Sequence, residues 1–336
     1  MTTPSLVSAM SENPAASPLE AAVGGDMERA TDAFAVLSNE TRLAILLALW
    51  DAHDSVNPED GISFSDLRER VGTTDSGQFN YHLEQLVGQF VRKVDDGYLL
   101  RRAGQKLVRT VIAGAGIEEP TLERTPIDVP CPYCGGQTAV LYDDEWLYHV
   151  CTECEGGFAG TNEQPDGYLT GAALDPAGFG DRSPEELWAA ALSRGYQDMK
   201  TMLEGVCNEC SGPVNLRLKV CEDHDEDGVC ETCGRTPAAL VILGCTVCKN
   251  YHASSPRSLV LHHPAVVAFY YERGVEVGYS HGAFEQIRRR DRLATRNEQR
   301  VVSADPHRVE VTVRHEGDEL QLTMDEDAEV VAVEEH

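Results

Sequence analysis

Lysine is nearly missing from this chain: five residues (Lys93, Lys106, Lys200, Lys219, Lys249) supply it, while 56 Asp and Glu against 28 Lys and Arg leave a formal net charge of −28 over 336 residues. Such a surface excludes a generally cationic nucleic-acid coat. Missing too is any apolar run near the roughly 18 residues of a membrane span; the longest, Leu43 to Trp50, is the length of a short helix. The first 25 residues, rich in Ala, Ser and Pro, lack both a basic start and an apolar stretch, so they are expected to be a disordered tail and not a signal peptide, and a cytoplasmic, soluble protein is expected. No phosphate-binding glycine loop, nucleophile elbow or carboxylate pair at an obvious cleft is found, so an enzyme is not expected. Cysteine is missing before Cys131 and abundant after it: ten of the eleven form five C-x2-C pairs. In a reducing cytosol that pattern favours metal-binding thiolates over disulfides.

The charge is uneven. Residues 26–114 carry 10 basic and 14 acidic side chains (net −4), and residues 115–336 carry 18 and 40 (net −22). The first part is the better anion binder. There Ala30, Ala33, Phe34 and Leu37 recur at helical spacing, Ser38 can cap a second helix to about Trp50, and Phe64-Ser65 can staple and cap a short third helix ending at Gly72. A fourth helix, opened by Asp75 or Ser76, sets Phe79, Leu83 and Leu86 inward and Gln78, Tyr81 and Gln85 outward. Asp95-Asp96-Gly97 then turns between two short strands, and residues 105–113 make one more helix, ended by the Gly114-Ala115-Gly116 run. Helix-turn-helix followed by hairpin predicts a winged helix with a core of Phe34, Leu43, Leu46, Leu67, Phe79, Leu83, Leu86 and Val91.

The runs Leu37-Ser38-Asn39-Glu40-Thr41-Arg42-Leu43 and Ser76-Gly77-Gln78-Phe79-Asn80-Tyr81-His82-Leu83 resemble the ArsR-type winged helix-turn-helix regulators of archaea over about a quarter of the chain. With its cysteine-rich second half and acid-rich, lysine-poor composition, the chain resembles haloarchaeal regulators of this layout. The resemblance implies DNA binding, transcriptional control and dimerisation through the first and last helices of the domain. On the residues themselves, Gln78, Asn80 and Tyr81 are expected at base edges, Ser76 among the DNA-binding residues beside them, and Arg92, Lys93, Arg101 and Arg102 at phosphates or the minor groove.

The second half reads as cysteine knuckles joined by strands. Cys131, Cys134, Cys151 and Cys154 have zinc-ribbon spacing, with residues 138–142 and 146–150 forming a hairpin about Asp143-Asp144-Glu145. Eight further ligands remain: Cys207, Cys210, Cys221, His224, Cys230, Cys233, Cys245 and Cys248. If residues 214–220 and 238–244 pair antiparallel, Cys207 and Cys210 meet Cys245 and Cys248 at one end, and Cys221, His224, Cys230 and Cys233 gather at the other. The competing pairing joins Cys207/Cys210 to Cys230/Cys233; we favour the first. Up to three structural Zn²⁺ ions per chain are therefore expected.

Other features read as structural. The pieces of a zinc-deaminase signature are in the wrong order; His149 is a strand residue; His262 and His263 open a helix; His82 either packs or touches phosphate; and the Arg288–Arg292 run is expected to be a solvated helix face. Ser183, Pro184 and Glu186 form a capping box for a long helix. Residues 309–313, 320–323 and 330–333 alternate as strands of a terminal meander.

The expected architecture is α+β and multidomain: a tail (1–25), a winged helix-turn-helix (26–116), a zinc ribbon (127–160), a linker and helix (161–204), a second cysteine-rich zinc domain (205–280), and a helix with C-terminal strands forming an antiparallel β meander (281–336). The expected function is a sequence-specific DNA-binding regulator, its partners double-stranded DNA and a second copy of itself, with no membrane. Two alternatives stay open: a general transcription factor resembling the archaeal initiation factor E alpha subunit, working with the transcription machinery, and a metal or redox sensor.

Overall fold

Local capping and hairpin signals set the element boundaries in this computed structural model, which describes residues 34–336 except 55, 58, 159–163, 226–227 and 278–283. The expected tail, and most of the expected first helix, lie outside the described residues. Residues 34–37 are helical. The chain divides after Ile112 into two compact units.

The first unit contains α1 (Glu40–Asp51), α2 (Phe64–Val71), α3 (Ser76–Leu86), the hairpin β1 (Val91–Val94) and β2 (Gly97–Leu100), and α4 (Arg102–Ile112). Two caps differ from expectation. Asn39, not Ser38, caps α1 by accepting from the Arg42 N–H, and Ser63, not Ser65, caps α2 by accepting from Asp66. Each hydroxyl or amide wins because it is the last extended residue before the helix, where its oxygen can reach the N3 amide. Asp75 caps α3, and Gly72 ends α2 in the left-handed conformation. Tyr98 exchanges two backbone hydrogen bonds with Ile62, and a Cβ on Gly97 would fall 2.0 Å from the Ile62 carbonyl. Only glycine permits that approach. α4 starts at Arg102, three residues earlier than expected.

The core of this unit holds Ile45, Leu46, Leu49, Leu67, Phe79, Leu83, Leu86, Val91, Tyr98, Leu100 and Val108. Phe34 and Leu43 are not in it, being 76% and 39% exposed. α1 is apolar almost all round, so periodicity could not choose its inner face; at about 100° per residue, Leu43 falls well to the side of the face made by Ile45, Leu46 and Leu49.

The second unit, Ala113–His336, is a mixed α+β body with three antiparallel sheets. β3 (Leu122–Ile127), β4 (Thr138–Asp143), β5 (Trp146–Cys151) and β6 (Tyr168–Ala173) form the first, in that order. β7 (Val214–Val220), β8 (Ala239–Cys245) and β9 (Tyr251–Ser254) form the second. β10 (Glu298–Ala304), β11 (His307–His315), β12 (Asp318–Met324) and β13 (Val330–Glu335) make the terminal meander, with one more strand than expected. The helices are α5 (Pro184–Leu203), α6 (Pro256–Leu259), α7 (Pro264–Glu272) and α8 (Phe284–Arg296). α5 carries the complete capping box at Ser183 and Glu186.

The expected subdivision of this half is corrected. Residues 161–182, expected to be linker, contribute β6, which pairs with β5. α5 buries Leu187, Trp188, Ala191 and Leu192 in one core with Ile127, Val140, Tyr142 and Leu147, and Met199 and Met202 in another. That second core runs from Cys207 and Cys245 through Phe269 to Val309, Val311, Leu320 and Leu322 of the meander. Shared burial makes one body of what the sequence spacing suggested were separate modules. No described helix is long and apolar enough to cross a membrane.

Candidate metal centres

Three groups of ligands converge: Cys131, Cys134, Cys151 and Cys154; Cys207, Cys210, Cys245 and Cys248; and Cys221, His224, Cys230 and Cys233, each set with its ligand atoms within 4.8 Å of one another. Strand register does this. Thr138 pairs with Cys151 and Asp143 with Trp146, so the β4–β5 hairpin returns the chain to the first knuckle. Val214 pairs with Cys245 and Val220 with Ala239, which puts Cys207 and Cys210 beside Cys245 and Cys248 and leaves Cys221 at the opposite end of the β7–β8 pair. The competing assignment of Cys207/Cys210 to Cys230/Cys233 is thereby overturned.

The spacings fit a tetrahedral ion. With metal–sulfur bonds of about 2.3 Å, neighbouring sulfurs stand about 3.7 Å apart, whereas a disulfide needs about 2.05 Å. Cys131–Cys154 and Cys134–Cys151 are at 3.7 and 3.6 Å, and Cys207–Cys248 and Cys210–Cys245 at 3.6 and 3.5 Å. In the third centre Cys233 Sγ lies 3.6 Å from His224 Nδ1. His224 Nε2 is 3.0 Å from the Thr236 carbonyl, so Nε2 carries the proton and Nδ1 keeps its lone pair for the metal.

Four of the five C-x2-C pairs share one knuckle. The N–H of Cys131, Cys207, Cys230 and Cys245 bonds the carbonyl five residues on (Gly136, Gly212, Arg235, Asn250), and the residue after the second cysteine has positive φ: Gly135, Ser211, Gly234 and Lys249. This turn aims amide hydrogens at the sulfurs, as from Tyr133 to Cys131, Gly212 to Cys210, and Val247 and Cys248 to Cys245. Burial opposes ionisation of Cys245, yet the Cys248 and Val247 amides outweigh it and hold the thiol down at about 6. Burial and then the crowded thiols Cys233 and Cys230 push Cys221 up to about 12. Crowded thiolates need a cation to ionise together.

Groups that the sequence did not flag join these centres. Thr236, whose carbonyl holds His224, donates its N–H to Gly157 and its hydroxyl to Gly156, both at 3.0 Å, and so ties the third centre to the loop after Cys154. Tyr133, inside the first knuckle, accepts from Arg257 at 3.3 Å. Asn250 Nδ2 reaches Asn208 Oδ1 at 2.8 Å beside Cys207.

Three histidines outside the ligand set, His149, His262 and His263, have structural roles. His149 is buried against Trp188, and its burial depresses it to about 4. His263 caps α7 by accepting from Ala265. His262 Nε2 faces the Arg290 guanidinium at 2.6 Å and, since arginine can only donate, must accept. Burial, then Arg290 and Lys200, depress His262 to about 3. The unfolded histidine, ordinary near 6.5, therefore binds a proton that the folded one rejects. This contribution to stability is complete above pH 6.5 and is lost as pH falls toward 3. His262→Gln, which keeps an acceptor, is expected to flatten the acid limb of the second unit's stability by up to about 1.4 kcal/mol per pH unit in that window; urea titrations at pH 7, 6 and 5 check it, and equal slopes would refute it.

The expected solvated arginine face is also corrected: Arg290 is buried, donating to the Val277 carbonyl, while Arg289 and Arg292 stay exposed.

In the first unit, Ser76, Gln78, Asn80 and Tyr81 all lie exposed on α3, opposite buried Phe79, Leu83 and Leu86. His82 is buried beside Tyr81, and its Nδ1 has no hydrogen-bond partner among the described residues. Arg92 and Lys93 project from β1, Arg92 toward Glu59 at 2.7 Å and Lys93 over the Tyr98 ring. Arg101 and Arg102 follow β2 and are exposed.

Residues 128–330 match the model of a family described as "Domain of unknown function (DUF7351)", and residues 30–111 match that of one described as "Domain of unknown function (DUF7347)". No curated protein and no solved structure matches the chain.

Proposed function

We propose that this chain, which belongs to the DUF7351 family, is a sequence-specific DNA-binding transcriptional regulator of ArsR-like type whose second half is held together by structural zinc. The observation that carries the reading is α3, where Ser76, Gln78, Asn80 and Tyr81 stand exposed on a helix fixed from behind by Phe79, Leu83 and Leu86. Amide side chains there suit bidentate contact with adenine in the major groove. The β1–β2 hairpin is then the wing of a winged helix, with Arg92, Lys93, Arg101 and Arg102 toward phosphates or the minor groove. The net charge of −4 on residues 26–114, against −22 on residues 115–336, supports the first as the DNA-facing half.

Zinc is the ion we assign, because closed tetrahedra of four thiolates, or of three thiolates and one imidazole, are its structural sites and leave no position for substrate. The metal-loaded chain is expected to contain three zinc ions per copy; elemental analysis giving one would refute this count. Titration of labelled duplex and single-stranded DNA with that protein tests the DNA reading: duplex is expected to bind more tightly. Equal binding, or a preference for single strands, would overturn it in favour of a factor acting on melted promoters.

A further inference from the structure

Several arginines of the second unit find carboxylates: Arg194 takes Asp175, Arg273 takes Asp318 and Glu335, and Arg314 takes Glu298 and Glu319. With twice as many acids as bases in the chain, that is the expected outcome. One cleft departs from it. Arg289, Arg292 and Arg296, at i, i+3 and i+7 on α8, line a cleft of about 270 Å³ whose other wall is Gly274, Val275 and His315. Among the described residues no carboxylate lines it and none of the three arginines makes a hydrogen bond or ion pair, Arg292 acting only at longer range on Asp291 of the same helix. Asp318, which pairs across β11–β12 with His315, is engaged by Arg273 instead.

Three guanidinium groups along one helix face, with no carboxylate among the described residues that line the cleft, repel one another, and an acid-rich surface offers an easy remedy that this lining does not use. The arrangement becomes favourable when an oxyanion accepts several N–H donors at once, in the forked geometry that guanidinium groups offer phosphate. We propose that this cleft is a binding site for a phosphate-type oxyanion, free or carried by a small metabolite. Its volume falls just below the range of drug-sized pockets, which suits a compact ligand over a polymer. The site is distinct from the metal centres and from α3, and it does not depend on the DNA-binding reading; in a regulator it would be the place where an effector acts.

Isothermal titration of the full-length, metal-loaded chain with inorganic phosphate, at fixed high chloride, tests the proposal. Saturable one-to-one binding is expected, with Arg292→Gln and Arg296→Gln each weakening it roughly tenfold or more at unchanged metal content and melting temperature. A nucleoside diphosphate binding more tightly than inorganic phosphate identifies a phosphorylated metabolite as the ligand; equal or weaker binding identifies free phosphate. Heats no larger than those for added chloride, or variants that bind as the parent does, would overturn the site. So would a loss confined to duplex DNA, which would make this face a nucleic-acid contact.

Discussion

Stripping metal from the full-length chain is expected to unfold residues 113–336 while residues 34–112 stay folded. Structural zinc sites in small modules contribute about 10–16 kcal/mol at neutral pH, as much as the whole stability of an ordinary domain, about 5–15 kcal/mol. Here each centre closes segments that no other covalent link joins, and the second draws two of its four ligands from the main core: Cys207 and Cys245 are buried with Leu243, Val309 and Leu322, while Cys210 and Cys248 are exposed. Without an ion, that core must accommodate crowded polar thiols, so the loss propagates from β7–β8 into the meander. The first unit has no cysteine, and its core of Ile45, Leu46, Phe79, Leu83 and Leu86 owes nothing to metal. Hydrogen exchange with and without chelator reads the two halves separately. Protection is expected to vanish across β4, β5, β7, β8, β11 and β12 and to persist in α1 and α3; joint loss would mean that the halves fold as one unit and that metal occupancy controls DNA binding directly.

The second large effect is expected at α3. Gln78→Ala and Asn80→Ala should each cost about 1–3 kcal/mol of discrimination between the preferred site and its single-base variants, because a bidentate amide contact is lost. Both side chains are exposed, so stability should barely change. Arg101→Ala and Arg102→Ala should instead weaken binding to all duplexes alike and lower its salt dependence. Competition titrations with mismatched duplexes separate the two classes; unchanged specificity in the α3 variants would move the reading surface elsewhere. Concentrated salt leaves little to gain from counterion release, so under the proposed DNA-binding reading specificity at molar salt is expected to rest on base contacts and shape.

Spacing alone made the metal ligands legible. A C-x2-C pair needs a partner pair within reach, and the alternation at 214–220 and 238–244 was enough to choose among pairings, as the Val214–Cys245 register bears out. Supporting groups such as Thr236 and Asn250 were hidden because they act from loops with no periodic signal, one of them through a backbone carbonyl. Knuckle conformation showed at Gly135 and Gly234 but not at Ser211 and Lys249, which adopt positive φ without the residue that announces it. Helix edges misled where two hydroxyls competed, as Ser63 and Ser65 did, and burial misled where a helix was apolar on every side, as at Leu43. β6 was missed because Gly, Pro and Asp dominate its surroundings, and its pairing with β5 is a tertiary fact. The run of arginines from Arg288 mixes buried and cleft-lining residues, a distinction that composition cannot make.

Selection of bound duplexes from a random-sequence pool, by the full-length metal-loaded chain at molar salt, bears most directly on the proposed function. Enrichment of a single motif, lost when Gln78 and Asn80 are both alanine and kept when Arg292 is glutamine, is the predicted result; a pool that stays random, or a motif indifferent to the α3 substitutions, would contradict it.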